Sequence, residues 1–243
     1  MGKSFLLVGG SSDIGLRLAT MLLDEGHGVT LLARDAERVN HLVAMGAVLV
    51  QGDALDEETV QAAVATASEA GENGLSGMAH LVGSIALRPP HATKLEDFQS
   101  VLQTNLVSAF LALKTAGKAM LKLGQGRMVF TSSVAGSYGL TNHEAIAAAK
   151  GGIEAMVRSA ASTYAGRGLR VNAVAPGLTE TRLGATVLRS DAIREASVGM
   201  IPLKRINEPE EIAQSMHWLL TAAPDNLTGQ VIHLDGGMSA LRG

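Results

Sequence analysis

The sequence predicts an α/β fold: one doubly wound parallel sheet with helices on both faces. Three observations lead there. Strand-like and helix-like segments alternate along all 243 residues, a pattern that makes right-handed crossovers between parallel strands. A glycine-rich turn, Gly9-Gly10-Ser11-Ser12-Asp13-Ile14-Gly15, separates the first strand from the first helix. The composition is 47% hydrophobic but only 3% aromatic, so the core must be aliphatic, and 28 glycines suit many tight βα turns.

In chain order, residues 4–8 (SFLLV) form a short apolar run ending at glycine, the pattern of a buried parallel strand. Residues 14–25 carry Ile14, Leu18, Met21 and Leu22 at helical spacing and stop at Gly26. Residues 29–32 read as the second strand, 35–45 as a helix closed by Gly46, and 47–50 as the third strand. The segment 56–69 is helical, with acidic residues in its first turn, where the helix dipole favours them. Residues 71–77 read as a loop and 78–82 as the fourth strand. Helical spacing then runs over 95–123, followed by a strand at 127–132 and a helix over 143–165. The sixth strand, 169–174, breaks at Pro176-Gly177. Residues 181–200 are mixed in pattern and read as mobile; 209–220 form a helix started by proline, and 231–234 the seventh strand. No linker, repeat or low-complexity segment interrupts 1–243, so one domain is expected, with a substrate lid at about 181–202.

The composition excludes several functions. A net charge of −3 without a basic stripe gives nucleic-acid binding no support. The absence of cysteine excludes disulfides, Fe–S clusters and thiolate catalysis, and no metal site is expected. The apolar runs are too short to span a bilayer, and the N-terminus leads directly into strand-like sequence. A soluble cytoplasmic protein is expected, with no membrane partner.

Glycines between a first strand and a first helix let the backbone approach a pyrophosphate, and the helix N-terminus offers it unpaired N–H groups. Ser11 and Ser12 can add hydroxyl donors. Arg34 stands just past the second strand, where an acidic residue would bind the ribose hydroxyls of NAD; an arginine there suits the extra phosphate of NADP. NADP(H) is therefore expected over NAD(H), although Asp35 offsets part of the charge and Ser12 supplies no second cation. Asp53 can accept from the adenine amino group or simply form a turn.

From residue 4 to residue 238 the chain resembles the classical short-chain dehydrogenase/reductases. The family's Thr-Gly-x3-Gly-x-Gly appears with Gly9 and Gly15 kept, Val8 in place of the threonine and Asp13 in place of the middle glycine, where Asp13 can still cap the helix. The Asn-Asn-Ala-Gly segment stands as Leu81-Val82-Gly83-Ser84, without its asparagines. Asn105, Ser133 and Lys150 match three members of the catalytic tetrad. Pro176-Gly177-Leu178-Thr179-Glu180-Thr181 matches the segment that contacts the nicotinamide, and Pro209 and Gly229 to Gly237 fall in the C-terminal pattern.

The resemblance implies a Rossmann-type seven-stranded sheet of order 3-2-1-4-5-6-7, a small-molecule substrate and a homo-oligomer, tetramer or dimer. It implies cofactor binding by Gly9, Ser11, Ser12, Asp13, Ile14, Gly15, Arg34, Asp53, Gly83, Ser84, Asn105, Lys150, Pro176, Gly177 and Thr181. It implies that Ser133 bonds the substrate oxygen, Lys150 holds the nicotinamide ribose and Asn105 supports a proton relay.

The tetrad's tyrosine, four residues before Lys150, is Ile146, and an alkyl group cannot transfer a proton. His143 lies seven residues before Lys150, the spacing at which the divergent enoyl-acyl-carrier reductases carry their tyrosine. Positions 143, 146 and 150 share one helix face, and histidine, titrating near about 6.5, suits acid work at neutral pH. The alternatives are a helix-start role for His143 with Asn142, Tyr138 in the preceding loop (better suited to packing), or water held by Ser133 and Lys150. Glu144 lies about 100° around the helix from His143. His91 reads as a loop residue. Leu183, Val187, Leu188, Ile193 and Met200 suggest an apolar lid, with Arg182 or Arg189 able to meet an acidic group. Two functions follow: an NADP(H)-dependent oxidoreductase acting on a carbonyl or a conjugated double bond with a non-standard proton donor, or a cofactor-binding pseudoenzyme acting as a structural or regulatory subunit.

Overall fold

Seven strands cross the molecule: β1 (Ser4–Val8), β2 (Gly28–Ala33), β3 (Val48–Gln51), β4 (Leu75–His80), β5 (Gly126–Thr131), β6 (Leu169–Pro176) and β7 (Val231–Leu234). In this computed structural model, which describes residues 2–241, every strand pair is parallel and the order is β3-β2-β1-β4-β5-β6-β7. The order reverses direction between β1 and β4, the point at which the carboxyl ends of a doubly wound sheet open a crevice.

The alternation of strand side chains explains the two cores. All five residues of β1 are buried: Phe5 and Leu7 pack into one face, Leu6 and Val8 into the other. Helices α1 (Asp13–Asp24), α2 (Asn40–Ala44) and, at the far end of the chain, α9 (Pro209–Thr221) cover the first face. Helices α3 (Glu57–Glu69), α5 (Ser108–Leu123) and α6 (Glu144–Tyr164) cover the second. Their caps follow the sequence: Asp56 accepts from Glu58 N at 3.1 Å before α3, and α9 opens with Pro209 and a capping box between Glu208 and Glu211.

Four expectations are corrected. The helix over 95–123 is interrupted: α4 (Leu95–Leu102) passes through a π turn at Gln103–Val107 before α5. The extra residue in that turn does not disturb the apolar spacing enough to be read. Strand β4 begins at Leu75, inside the expected loop. Gly77 is there for packing, since a Cβ on it would lie 2.7 Å from Phe5 Cδ1. The expected helix over 35–45 is a 3₁₀ turn (Glu37–Val39) followed by the short α2. Residues 181–200 carry two helices, α7 (Arg182–Ala185) and α8 (Asp191–Gly199), each capped at its start by a hydroxyl, from Thr181 and Ser190. Among the described residues no helix is long and apolar enough to cross a membrane.

Candidate active site

A cleft of about 630 Å³ opens at the carboxyl ends of β1, β2, β4, β5 and β6. Of the residues expected to bind cofactor or to act in catalysis, His143 included, all line it except Gly15. Gly15 sits behind the wall: a Cβ there would lie 2.8 Å from Gly10 O and 2.8 Å from Ser12 Oγ, so its bareness lets α1 start against the turn.

Backbone geometry shapes the β1 end. Gly9 has φ +87°, and a Cβ on it would approach the Leu81 and Val82 backbone to 2.9 Å. Ser12, not Asp13, caps α1; its Oγ accepts from Gly15 N at 3.0 Å. Asp13 is already the first helical residue, too late in the chain for the cap position. Its carboxylate instead accepts from Arg38 Nη2 and from the Arg182 backbone N–H, both at 2.8 Å, and Arg38 Nε donates to Ser11 O at 2.9 Å. The acidic charge at this helix N-terminus is thus offset by guanidinium groups. Arg38 is a second cation beside the turn, but it does not line the cleft and its guanidinium is engaged by Asp13 and Ser11. It arrives from 27 residues downstream of Ser11 through the fold, and no local pattern announced it. Arg34 reaches Asp53 at 3.6 Å with 78% of its side chain exposed, and Asp53 Oδ1 accepts from Leu55 N at 2.9 Å.

Buried side chains shape the β4–β6 end. Helix α6 buries a stripe of residues at three- and four-residue spacing, and Lys150 lies within it at 5% exposure. Burial pushes the Lys150 ammonium down to about 8, and its Nζ donates to Thr131 O at 2.8 Å. The two serines after β5 divide their work. Ser132 Oγ turns inward and donates to Glu154 Oε1 at 2.8 Å; Ser133 Oγ accepts from Ala135 N at 3.2 Å and keeps its proton for the cleft.

Asn105 occupies the π turn, wholly buried. Its Nδ2 donates to Val101 O at 2.9 Å and Ser84 Oγ at 3.0 Å, and its Oδ1 accepts from Ser84 N at 3.2 Å. Ser84 is thereby tied to the π turn through Asn105. A Cβ on Gly83 would stand 3.2 Å from Asn105 Oδ1 and 3.7 Å from Lys150 Nζ, so only glycine leaves that gap open. Gly177 is needed for a similar reason, its would-be Cβ meeting Asp235 Cα at 2.9 Å.

His143 precedes α6 as its N-cap residue, following Asn142 at φ +64°, and its side chain makes no capping bond. It nevertheless faces the same cleft as Ile146 and Lys150. Its Nδ1 lies 2.8 Å from Thr141 O. A carbonyl only accepts, so the proton sits on Nδ1 and Nε2 is bare in the neutral ring. Ile146 is 3% exposed and packs with Val101, Ala135, Ala145 and Ala149. Tyr138 is half exposed and does not line the cleft. Glu144, His91, Leu188, Ile193 and Arg189 also lie off the cleft wall, whereas Arg182, Leu183, Val187 and Met200 line it. His80, which the sequence reading passed over, is wholly buried beneath this end; a histidine in the otherwise apolar run GMAHLV was its available signal.

Known proteins match this chain along nearly its whole length. A family model described as Enoyl-(Acyl carrier protein) reductase matches residues 9–239. The chain is 34% identical to 2-(S)-hydroxypropyl-CoM dehydrogenase 3 of Xanthobacter autotrophicus, over 97% of this chain and 96% of that protein. It is 36% identical to carbonyl reductase family member 4 of Danio rerio, over 99% and 100%. Among solved structures, ElxO with NADP bound superposes with a TM-score of 0.91 at 25% identity, over 99% of this chain and 100% of that one.

Proposed function

The chain belongs to the short-chain dehydrogenase/reductase family of oxidoreductases, and on that footing we propose that it interconverts a carbonyl and an alcohol on a small apolar substrate, using NADP(H) and His143 as the proton-transfer group. The observation that carries this reading is the convergence of Ser133, Lys150, Asn105 and His143 on one cleft that also holds the glycine turn.

The residues fit a dinucleotide. The turn at Gly9 and the capped N-terminus of α1 give a phosphate close backbone and open N–H groups, while Arg34 supplies a cation on the cleft wall where β2 ends. The solved likeness with NADP bound favours the phosphorylated form. Pro176, Gly177 and Thr181 form the wall for the nicotinamide, and Ser11, Ser12, Ile14, Gly83 and Ser84 the rest of the cofactor's bed. When bound, the cofactor supplies or accepts the hydride.

The chain's own groups then have distinct tasks. Lys150 spends one N–H on Thr131 O and has two left for ribose hydroxyls. Ser133 donates its hydroxyl proton to the substrate oxygen. Reduction needs a proton at that oxygen, and His143 can give one from Nε2 only as the imidazolium, because Thr141 O holds the Nδ1 proton. Leu183, Val187 and Met200 give residues 181–202 a largely apolar inner wall, with Arg182 the one charged side chain on it, so this segment serves as a lid over a mainly apolar molecule. Named relatives that act on alcohols and carbonyls support the reaction class. The working form is a cytoplasmic homo-oligomer, dimer or tetramer.

The test is to mix the protein with NADPH and a panel of ketones and aldehydes. NADPH fluorescence should change and the melting temperature rise; His143→Ala should keep binding while lowering kcat by a factor of about 10² to 10⁴. No fluorescence change and no thermal shift would remove the cofactor reading. Binding without turnover on any carbonyl would leave a cofactor-holding subunit.

A further inference from the structure

His80 ends β4 with no exposed surface, yet it does not line the cleft. Burying an imidazole in an apolar strand is costly unless its nitrogens are paired. Nε2 lies 2.9 Å from Ser108 Oγ. The hydroxyl's only proton goes to Thr104 O at 2.6 Å, so Ser108 accepts from His80, and the histidine proton sits on Nε2. Nδ1 has no partner. The ring is neutral, pushed down to about 3 by burial and by the positive charge of Lys150.

The two bonds form a chain from the sheet to the π turn: His80 to Ser108, and Ser108 to the carbonyl of Thr104. That carbonyl immediately precedes Asn105. The π turn closes with an i→i+5 bond from Ser108 N to Gln103 O, and the Ser108 side chain adds a second tie, to the carbonyl of Thr104, inside the same turn. Asn105 has little slack on its far side, where Ser84 holds both ends of its amide and Gly83 leaves only a bare gap. Phe130 stands behind the imidazole, with ring centroids 6.1 Å apart.

We propose that His80 is a positioning residue: through Ser108 it holds the π turn that presents Asn105 to the cleft. The inference rests on the functional reading above in that Asn105 belongs to the reacting set. What His80 contributes is a donor at Nε2 delivered from a rigid strand. A leucine would fill much of the space but leave the Ser108–Thr104 pair unanchored, whereas glutamine carries a donor nitrogen to nearly the same point.

The test compares His80→Leu, Ser108→Ala and His80→Gln with the wild type. In the cofactor-free protein, backbone amides of residues 103–107 should exchange about tenfold faster in the leucine and alanine variants, with β1 and α9 unchanged, while glutamine restores the slow rate. With NADPH and a carbonyl that the wild type reduces, kcat should fall about tenfold while KM and NADPH affinity stay within about twofold, again rescued by glutamine. Wild-type exchange across 103–107 in a folded His80→Leu, an unchanged kcat, or failure of glutamine to rescue overturns the proposal. If His80→Leu does not fold, Ser108→Ala carries the same comparison. A wild type that binds no NADPH contradicts the functional reading, and the exchange measurement still decides whether His80 holds the turn.

Discussion

At the β1–β2 end of the cleft, charged groups answer one another near solvent: Arg34 faces Asp53, while Asp13 is shared between Arg38 and the first residue of α7. At the β4–β6 end the polar groups are buried, and Asn105, Lys150, Ser132 and Glu154 each hold a specific partner within the protein. The first end is shaped by what side chains omit, through glycines at 9 and 15, so its charges are free to adjust to a ligand. The second is shaped by side chains whose loss leaves buried partners unsatisfied. His143 differs from these buried groups, being half buried in the loop before α6 with Nδ1 against Thr141 O; on the proposed function it is the group that carries the proton.

The comparison is tested most severely at Ile146. On the proposed reading Ile146→Tyr restores a phenol beside Ser133 and Lys150, raising carbonyl reduction by a factor of about 10². The added bulk presses on Val101 and Ala135. A folded, NADPH-binding variant with no gain would mean that the buried end has been remodelled beyond one residue.

Gly9→Ala should be next in size. With φ at +87° and backbone 2.9 Å from the new Cβ, the turn must shift. We expect a loss of about 1–3 kcal/mol of stability and no thermal shift with NADPH. Unaltered affinity would show that backbone shape does not govern the first end.

Lys150→Met reads the buried end through pH. Because burial lowers the lysine to about 8, the unfolded chain binds more protons than the folded one between about 8 and 10.5, and stability rises with pH across that window. Urea unfolding should show a wild-type gain of roughly 3 kcal/mol that the variant lacks. His80 behaves alike at acid pH: it stays neutral in the fold down to about 3, so stability falls as pH drops from about 6.5 toward 3, and His80→Gln should flatten that slope.

Arg34→Ala should have the smallest effect, a loss of about tenfold in NADPH affinity with NADH affinity unchanged, weaker at high salt because the guanidinium is exposed. Equal losses for both cofactors would remove the phosphate from its role.

The sheet was legible because a run such as SFLLV before glycine needs no partner to identify it; parallel strands buried on both faces are apolar throughout. Lys150 and Ser133 were legible because their separation along the chain survives folding as proximity on adjacent elements. The π turn at Asn105 was not, since one extra residue leaves the apolar spacing intact, and Gly77 misled because a packing glycine looks like a breaker.

The sequence by itself determined the α/β class, the seven strands and the glycine turn, all of which reside in local pattern and spacing. Tertiary structure alone decided that Ser12 caps α1, that Asp13 is engaged by Arg38 and α7, that His143 Nδ1 meets Thr141 O and that His80 meets Ser108 beside the turn carrying Asn105. The reason is physical. Hydrophobic period and backbone preference act over a few residues, whereas the direction of a polar side chain depends on which donor or acceptor the fold brings within 3 Å or so of it.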